Sequence, residues 1–272
     1  MDAKTAIDAL HAWLDAAGAV SVAVSGGVDS LTLATLAGRR LGRRAAMFHA
    51  VSPAVQPEGT ARVRDCAARE GWDLRIVDAG EFSRDEYRAN PVDRCFYCKQ
   101  SLYAAIAPQA AGTVVSGTNA DDLGEYRPGL DAAREAGVRH PYVETGVDKA
   151  TVRTIARALG LAEVAELPAS PCLSSRVETG IAIEPAMLAR IHDAERAVRR
   201  RVAAANVRCR VRTSGVVVEI DAAALAAMPA ALRTEIGDEV GRLFGGPPAN
   251  VAPYRTGSAF LLRHAGRARH PA

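Results

Sequence analysis

The sequence predicts an α/β chain: a parallel sheet with helices on both faces, followed by a smaller α+β module. Three observations carry this. Through about residue 118, short β-branched apolar runs alternate with stretches of helical spacing, as in strand–helix–strand units of a parallel sheet. Glycine-containing turns follow two of the strand runs, in "VSGGVDS" and "VSGTNADD". Beyond about residue 168 the alternation gives way to a Pro/Ser connector, one long helix and a pair of strands. The expected division is therefore residues 1–168 and 169–272.

Each element follows in order. "MDAKTAIDALHAWLDAAG" carries acids and sets Ile7, Leu10, Trp13 and Leu14 on one face, which reads as an ordinary amphipathic helix and not a signal peptide. "AVSVAVS" (19–25) is the first strand. The helix "SLTLATLAGRRLG" turns Leu31, Leu33, Ala34, Leu36 and Ala37 inward and stops at Gly42. "AAMFHAV", "TARVRDCAAREG" and "DLRIVDA" continue as strand, helix and strand, with Cys66 on the apolar side of the helix. A long loop leads to "RCFYC", then the helix "KQSLYAAIAPQA" and the strand "GTVVSGT". Ligands on such sheets bind at the carboxyl ends of the strands, so "VSGGVDS" and "VSGTNADD" are expected to converge on one site.

In the second module "ELPASPCLSSR" is the connector. "EPAMLARIHDAERAVRRRVAAA" is a helix with Met187, Leu188, Ile191, Ala194, Val198 and Val202 as its apolar stripe. Arg196 and Arg199 to Arg201 lie off that stripe, on a solvated face. "VRCRVRT" and "VVVEIDA" are strands joined through Ser214-Gly215, and a helix-rich stretch leads to "NVAPYRTGSAFLL". The tail "RHAGRARHPA" is expected to fray.

Composition bounds the function. With 272 residues, 49% hydrophobic, the chain can bury a real core in one large or two medium domains. A formal net charge of +3 excludes a general nucleic-acid coat and leaves anion binding to local patches. No apolar run approaches membrane-spanning length. Five cysteines, odd and sparse, argue against a disulfide framework and for a reducing cytoplasm.

Ser25-Gly26-Gly27-Val28-Asp29-Ser30 joins the first strand to the second helix. Its glycines let the backbone pass close to an anion, and N–H groups at the helix N-terminus point toward it. Ser25 and Ser30 add hydroxyl donors; Asp29 can cap the helix or hold a metal. The plainer reading is a tight turn with a capping Asp and Ser. The loop lacks the G-x-x-x-x-G-K-[ST] spelling, so it is not a Walker A. It resembles the PP-loop of the N-type ATP pyrophosphatases, which cut ATP between its α- and β-phosphates and adenylate a substrate. That resemblance implies a Rossmann-like PP-loop domain using ATP and Mg²⁺. In that superfamily a second loop with Gly-Thr and a downstream Asp helps hold the nucleotide, and "SGTNADD" supplies Gly117, Thr118 and Asp122.

The strand "VRCRVRT" alternates Arg208, Arg210 and Arg212 with Cys209 and Val211, so three guanidiniums share one face. Stacked like charges repel unless an anion joins them, which favours phosphate or carboxylate binding by Arg210 and Arg212. Arg208 is as readily a solvated edge residue. Cys209 then points inward as an inert buried thiol, the reading also given to Cys66. Cys95 and Cys98 form a C-x-x-C. A redox pair of this kind usually opens a helix in a thioredoxin-like βαβ unit. A structural zinc site needs four ligands, and no second C-x-x-C or paired His follows; His140 and His192 lie apart in the sequence.

"GTNADDLGEYRPGLDAAREAGVRHPYVE", "DKATVRTIARALGL", "PASPCLSSR", "RVR" followed by "VVVEI", and "YRTGS" together resemble the LarE-type ATP-dependent sulfur transferases, in collinear order from about residue 18 to about 260. That family sulfurises pyridinium-3,5-biscarboxylic acid mononucleotide during assembly of the nickel-pincer cofactor of lactate racemase. The resemblance implies adenylation of a carboxylate, capture of the acyl group by sulfur, and a homo-oligomer. It places the sulfur-bearing cysteine at Cys172 and Arg176 near the transferring group. It associates Arg210, Arg212 and Glu219 with substrate phosphate and subunit contacts. Thr179, Thr213-Ser214 and Ala259-Phe260 depart from the family's usual spelling.

Some members of that family hold a [4Fe–4S] cluster on three thiolates, and others give up the sulfur of a single cysteine, leaving dehydroalanine. The spelling Cys95, Cys98 and Cys172 is that of the three-cysteine form. A tRNA thiolase, an amide-forming synthetase such as NAD synthase, and a nucleotide sensor without turnover are the competing functions. Near-neutral charge and the absence of an RNA-binding module speak against the first. The three cysteines are superfluous to the second, and the intact Ser25, Gly26, Gly27, Asp29 and Ser30 speak against the third.

Overall fold

The computed structural model describes residues 1–124 and 127–261; the tail expected to fray lies outside them. An all-parallel four-stranded sheet is followed by a three-stranded mixed sheet, so the α/β class with a second, smaller α+β part is borne out. The chain divides into two compact units, Met1–Arg84 with Asp93–Pro171, and Asp85–Val92 with the chain from Cys172 onward. No helix among the described residues is long and apolar enough to cross a membrane.

The first unit opens with α1 (Ala3–Ala17), β1 (Val20–Ala23), α2 (Val28–Leu41), β2 (Ala45–Ala50), α3 (Pro57–Glu70) and β3 (Asp73–Val77). After α4 (Asp85–Arg88), which belongs to the second unit, it resumes with α5 (Arg94–Ile106) and β4 (Thr113–Ser116). It ends with α6 (Pro128–Glu135), α7 (Pro141–Glu144), α8 (Lys149–Ala158) and α9 (Ala162–Ala165). The strand order is β3-β2-β1-β4. The chain leaves β1 toward β2 and β3, then returns to its other side as β4, so the sheet's switch point lies between the ends of β1 and β4.

Alternation along β1 sorts its side chains by face. Val20, Val22 and Val24 join Leu10, Leu31 and Ile155 in the core beneath α1, α2 and α8. Ala23 faces the other way, into a smaller core with Phe48, Val77 and Ile106 of α5. From Leu31 to Ala37 every residue of α2 is buried, packed by α1, α3 and α8, which fixes the helix whose N-terminus receives the glycine loop.

One expectation is corrected. The segment before the C-x-x-C is not one long loop continuing to Lys99. A short 3-10 turn (Glu81–Ser83) and α4 interrupt it, and α5 begins at Arg94, so Cys95 and Cys98 lie in its opening turns. Its buried residues begin with Arg94 and Ser101, and Tyr103 and Ile106 follow only toward its end; a hydrophobic period cannot reveal a polar face.

In the second unit, α10 (Pro185–Arg201) packs on β5 (Val207–Arg212), which is antiparallel to β6 (Gly215–Ile220). After α11 (Ala222–Ala226) and α12 (Ala230–Phe244), β7 (Asn250–Pro253) pairs with β6 in parallel. The stray segment Asp85–Val92 is tied in by Asn90, wholly buried at φ 54. Its amide donates to Glu178 O at 2.9 Å and Ile181 O at 3.1 Å, and its carbonyl accepts Gly180 N–H at 2.9 Å. Asn is among the few non-glycine residues that tolerate this backbone.

Candidate functional site

The glycine loop lies between β1 and α2. Gly26 sits at φ 85, and a Cβ there would stand 2.7 Å from Gly59 O in the first turn of α3. Both the backbone angle and the close approach require glycine. Gly27 is the N-cap of α2, and no side chain caps the helix, leaving its first N–H groups pointed out of the loop. Around the loop, Arg62 donates to Gly26 O at 2.8 Å. His49, 1% exposed, bonds Val24 O at 2.8 Å through Nδ1 and Thr60 Oγ1 at 2.9 Å through Nε2. Burial lowers the His49 pKa, so the ring is a neutral brace between loop and α3.

The two serines differ. Ser30 is buried; its hydroxyl donates to Gly27 O at 3.1 Å and accepts Ser25 N–H at 3.1 Å. It ties the loop to itself, whereas Ser25 is exposed. Asp29, in the first turn of α2, has Lys149 Nζ on Oδ2 and Asn119 Nδ2 on Oδ1 at 3.2 Å.

The loop after β4 does meet this one. A Cβ on Gly117 would stand 2.8 Å from Ser30 N and 2.9 Å from Asp29 C, so glycine lets β4's end press against the start of α2. Thr118 Oγ1 lies 3.1 Å from Ser116 Oγ, itself 2.9 Å from His140 Nδ1. Asp122 accepts Asn119 N–H at 3.0 Å and pairs with Arg127 at 2.9 Å. The fully buried Tyr142 donates to Asp29 O at 3.1 Å; burial, then the Asp29 charge, raises its pKa well above 10.0. Asp29, Ser25, Gly26, Gly27, Gly117 and Lys149 thus converge at the switch point of the sheet.

No disulfide joins the cysteines. Cys66 and Cys209 are buried, and burial raises both thiols. Cys95 and Cys98, half-buried, stand at i and i+3 on one side of α5. They belong to the first unit, and the exposed Cys172 belongs to the second. Cys172 opens a 3-10 turn, Leu173–Arg176. Its carbonyl accepts from Ser175 N at 3.0 Å, Ser175 Oγ at 2.8 Å and Arg176 Nη1 at 3.2 Å. The backbone is held while the thiol faces out. Thiolate donors suit iron–sulfur ligation, and the Asp29 carboxylate suits Mg²⁺. Among the described residues no three His, Cys, Asp or Glu stand together as a metal-holding group.

Arg176 has no exposed surface. It grips Glu195 (1% exposed) through Nε at 2.9 Å and Nη2 at 3.2 Å, which makes it a residue that sets the Cys172 turn. Glu195 also accepts Cys209 N–H at 3.1 Å and Arg199 at 3.0 Å. Arg210 and Arg212 meet on one anion, and that anion belongs to the chain itself. Glu219 accepts Arg210 Nε at 3.0 Å, Arg212 Nη2 at 2.6 Å and Ser258 Oγ at 2.7 Å. Arg212 keeps 26% of its side chain exposed and a buried Nε without a hydrogen bond. Arg208 is not solvated: it is buried and lies 5.8 Å over the Tyr254 ring.

Sequence reasoning missed Lys149, Asn119, Arg62 and Glu195. Lys149 had a signal: a lysine at the first position of α8 opposes the helix dipole. A glutamate inside the expected Arg-rich helix was the corresponding hint for Glu195.

No family model matches the chain. It is 40% identical over 186 residues to the uncharacterized protein slr1717 of Synechocystis, covering 66% of this chain and 68% of that one. It is 30% identical over 185 residues to the pyridinium-3,5-bisthiocarboxylic acid mononucleotide synthase of Lactiplantibacillus plantarum, covering 66% and 67% respectively. It is 27% identical over 206 residues to the uncharacterized protein MJ0830 of Methanocaldococcus jannaschii, covering 74% and 77%.

Proposed function

This chain belongs to the LarE family of sulfur transferases, and from that membership we propose that it adenylates a substrate carboxylate with ATP and converts it to a thiocarboxylate. The substrate is a carboxylated pyridinium mononucleotide, and the product feeds nickel-pincer cofactor biosynthesis. The observation that most supports this is the uncapped N-terminus of α2 behind Gly26 and Gly27, with Gly117 pressed against it.

A carboxylate resists attack because oxide would have to leave; as an acyl-adenylate it leaves as AMP. In the first step a carboxylate oxygen bonds the α-phosphorus and pyrophosphate departs. The N–H groups of the loop and the exposed Ser25 hydroxyl hold phosphate oxygens, and Asp29 would hold Mg²⁺, which would offset the phosphate charge. Thr118 and the turn held by Asp122 line the nucleotide. In the second step sulfur bonds the acyl carbon and AMP leaves. Arg176 fixes the turn that presents Cys172. Arg210 and Arg212, held by Glu219, receive the substrate phosphate, with Arg212 offering its exposed edge. A homo-oligomer completes the substrate site.

The sulfur has two sources. Cys95, Cys98 and Cys172 would hold a [4Fe–4S] cluster, which when bound supplies sulfide as the nucleophile without consuming a cysteine. The exposure of the Cys172 thiol favours a second reading. Its sulfur attacks the acyl-adenylate, a base removes the Cys172 α-proton, and the Cβ–S bond breaks to leave dehydroalanine and the thiocarboxylate.

The test is an anaerobic assay with ATP, Mg²⁺ and the pyridinium carboxylate, following pyrophosphate and thioacid, with iron, sulfide and intact mass measured on the protein. The cluster route expects iron and an unchanged mass. The sacrificial route expects no iron and loss of one H₂S per turnover. Pyrophosphate without thioacid removes the sulfur claim and leaves adenylation.

A further inference from the structure

We propose that Lys149 is a phosphate-binding residue parked on Asp29 until a nucleotide-bound metal ion displaces it. The proposal rests on reading Ser25 to Ser30 as a nucleotide loop, and adds to it a residue and an order of events.

Lys149 Nζ sits on Asp29 Oδ2, the oxygen a divalent cation would need. The pair is exchangeable, because the Lys149 side chain is 37% exposed and that of Asp29 24%. Each partner is anchored independently of the other. Lys149 N–H donates to Asp121 Oδ2 at 3.1 Å, and Asp148 caps the same helix by accepting Thr151 N–H at 2.7 Å. The ammonium therefore swings from a fixed backbone. Asp29 keeps its orientation through Asn119 Nδ2, at 3.2 Å on the other carboxylate oxygen. Asn119 is 2% exposed, with its own Oδ1 accepting Asp121 N–H at 3.1 Å.

The position also needs explaining. A cation at the first residue of a helix opposes the dipole, and Asp29 offsets that cost. An incoming polyphosphate carries both a divalent ion and anionic oxygens. A divalent ion on Asp29 Oδ2 repels Nζ, and the freed ammonium, a flexible point charge, turns to the phosphate oxygens gathered at the start of α2. Charge stays balanced: metal for ammonium on Asp29, phosphate for carboxylate on Lys149.

Two titrations test this, and neither requires turnover. The probes are Mn²⁺ alone, read by electron paramagnetic resonance, and ATP in EDTA, read by calorimetry. Lys149→Met is expected to bind Mn²⁺ about tenfold more tightly, because Asp29 is vacated, and metal-free ATP about tenfold more weakly, as suits one partly exposed charge pair. Asp29→Asn is expected to do the reverse, losing Mn²⁺ and gaining ATP affinity. A purely structural role moves neither in opposite directions. A folded Lys149→Met with both affinities unchanged, or both weakened, overturns the proposal. If Lys149→Met does not fold, Asp29→Asn decides, and unchanged or weaker metal-free ATP binding overturns it. Because no carboxylate or sulfur is present, failure of the sulfur chemistry leaves these titrations standing, and failure here leaves the sulfur assay untouched.

Discussion

Two of the oppositely charged pairs stand in contrasting settings. Asp29 and Lys149 meet at 24% and 37% exposure beside an uncapped helix end. Arg176 and Glu195 meet at 0% and 1% exposure, with Glu195 also holding Cys209 N–H and Arg199. In water's reach a carboxylate can trade one cation for another at little cost. In a dry interior each charge depends on its partner, because separation leaves a charge that nothing solvates. The first arrangement suits a ligand site, and the second suits the scaffold behind one. A single substitution separates the two roles.

The largest expected effect is therefore at Arg176. Arg176→Leu leaves the buried Glu195 carboxylate to Arg199 and Cys209 N–H and is expected to cost about 3 kcal/mol, seen as loss of amide protection across α10 and β5. Asp29→Asn is expected to change stability by less than about 1 kcal/mol while altering metal binding. Replacing Arg176 and Glu195 together by leucine should recover part of the loss. Recovery stays incomplete because Cys209 N–H loses its acceptor, a deficit of about 1–3 kcal/mol. Equal stability changes in Arg176→Leu and Asp29→Asn would erase the distinction between the pairs.

Next is the loop itself. Gly117→Ala drives a Cβ to 2.8 Å from Ser30 N, and Gly26→Ala drives one to 2.7 Å from Gly59 O. Backbone faces backbone in both, so neither clash has a flexible side chain to yield. Each is expected to weaken MgATP by at least about tenfold, or 1.4 kcal/mol, in a calorimetric titration, with the second unit's amide protection unchanged. Ser25→Ala, removing one exposed hydroxyl, should cost less. Unchanged MgATP affinity in Gly117→Ala would mean that the convergence of the two loops does not serve nucleotide binding.

The same contrast governs what could be read from sequence. The sheet, its helices and the glycine loop were legible, because alternation, period and glycine each report directly on backbone and burial. Convergence of "SGGVDS" with "SGTNADD" was legible from topology alone. What escaped is polar and long-range. Glu195 lies inside what reads as an Arg-rich solvated surface, yet it is buried and holds Arg176, Arg199 and Cys209 N–H. Arg208 reads as readily as a solvated edge residue, and it is buried over the Tyr254 ring instead. The mutual repulsion of Arg210 and Arg212 calls for an anion, and Glu219 stands between them within the chain itself. Lys149 is 120 residues from Asp29, and no local period joins them. The opening of α5 was hidden because its buried face is polar.

Acid separates the two units with the smallest effect and the clearest sign. Burial holds the His49 and His140 rings below their ordinary 6.5. Below pH 6.5 the unfolded chain takes up protons at these positions that the folded unit refuses. Stability therefore falls as pH drops through that window and is fully present above it. In the second unit burial raises Glu195, but the Arg176 hydrogen bonds more than offset this and hold the carboxyl below its ordinary 4.5. Its contribution is present above pH 4.5 and disappears as pH falls through the lower folded value. Hydrogen exchange measured from pH 7 downward, corrected for intrinsic rates, should show α2 and α3 losing protection first, below about pH 6.5. Protection in α10 and β5 should persist until below about pH 4.5. His49→Gln keeps a neutral donor for Val24 O and is expected to flatten the first decline, leaving only the share due to His140. Simultaneous loss of protection in both units, unaltered by His49→Gln, would assign acid sensitivity to the exposed carboxylates and leave the buried groups without a part in it.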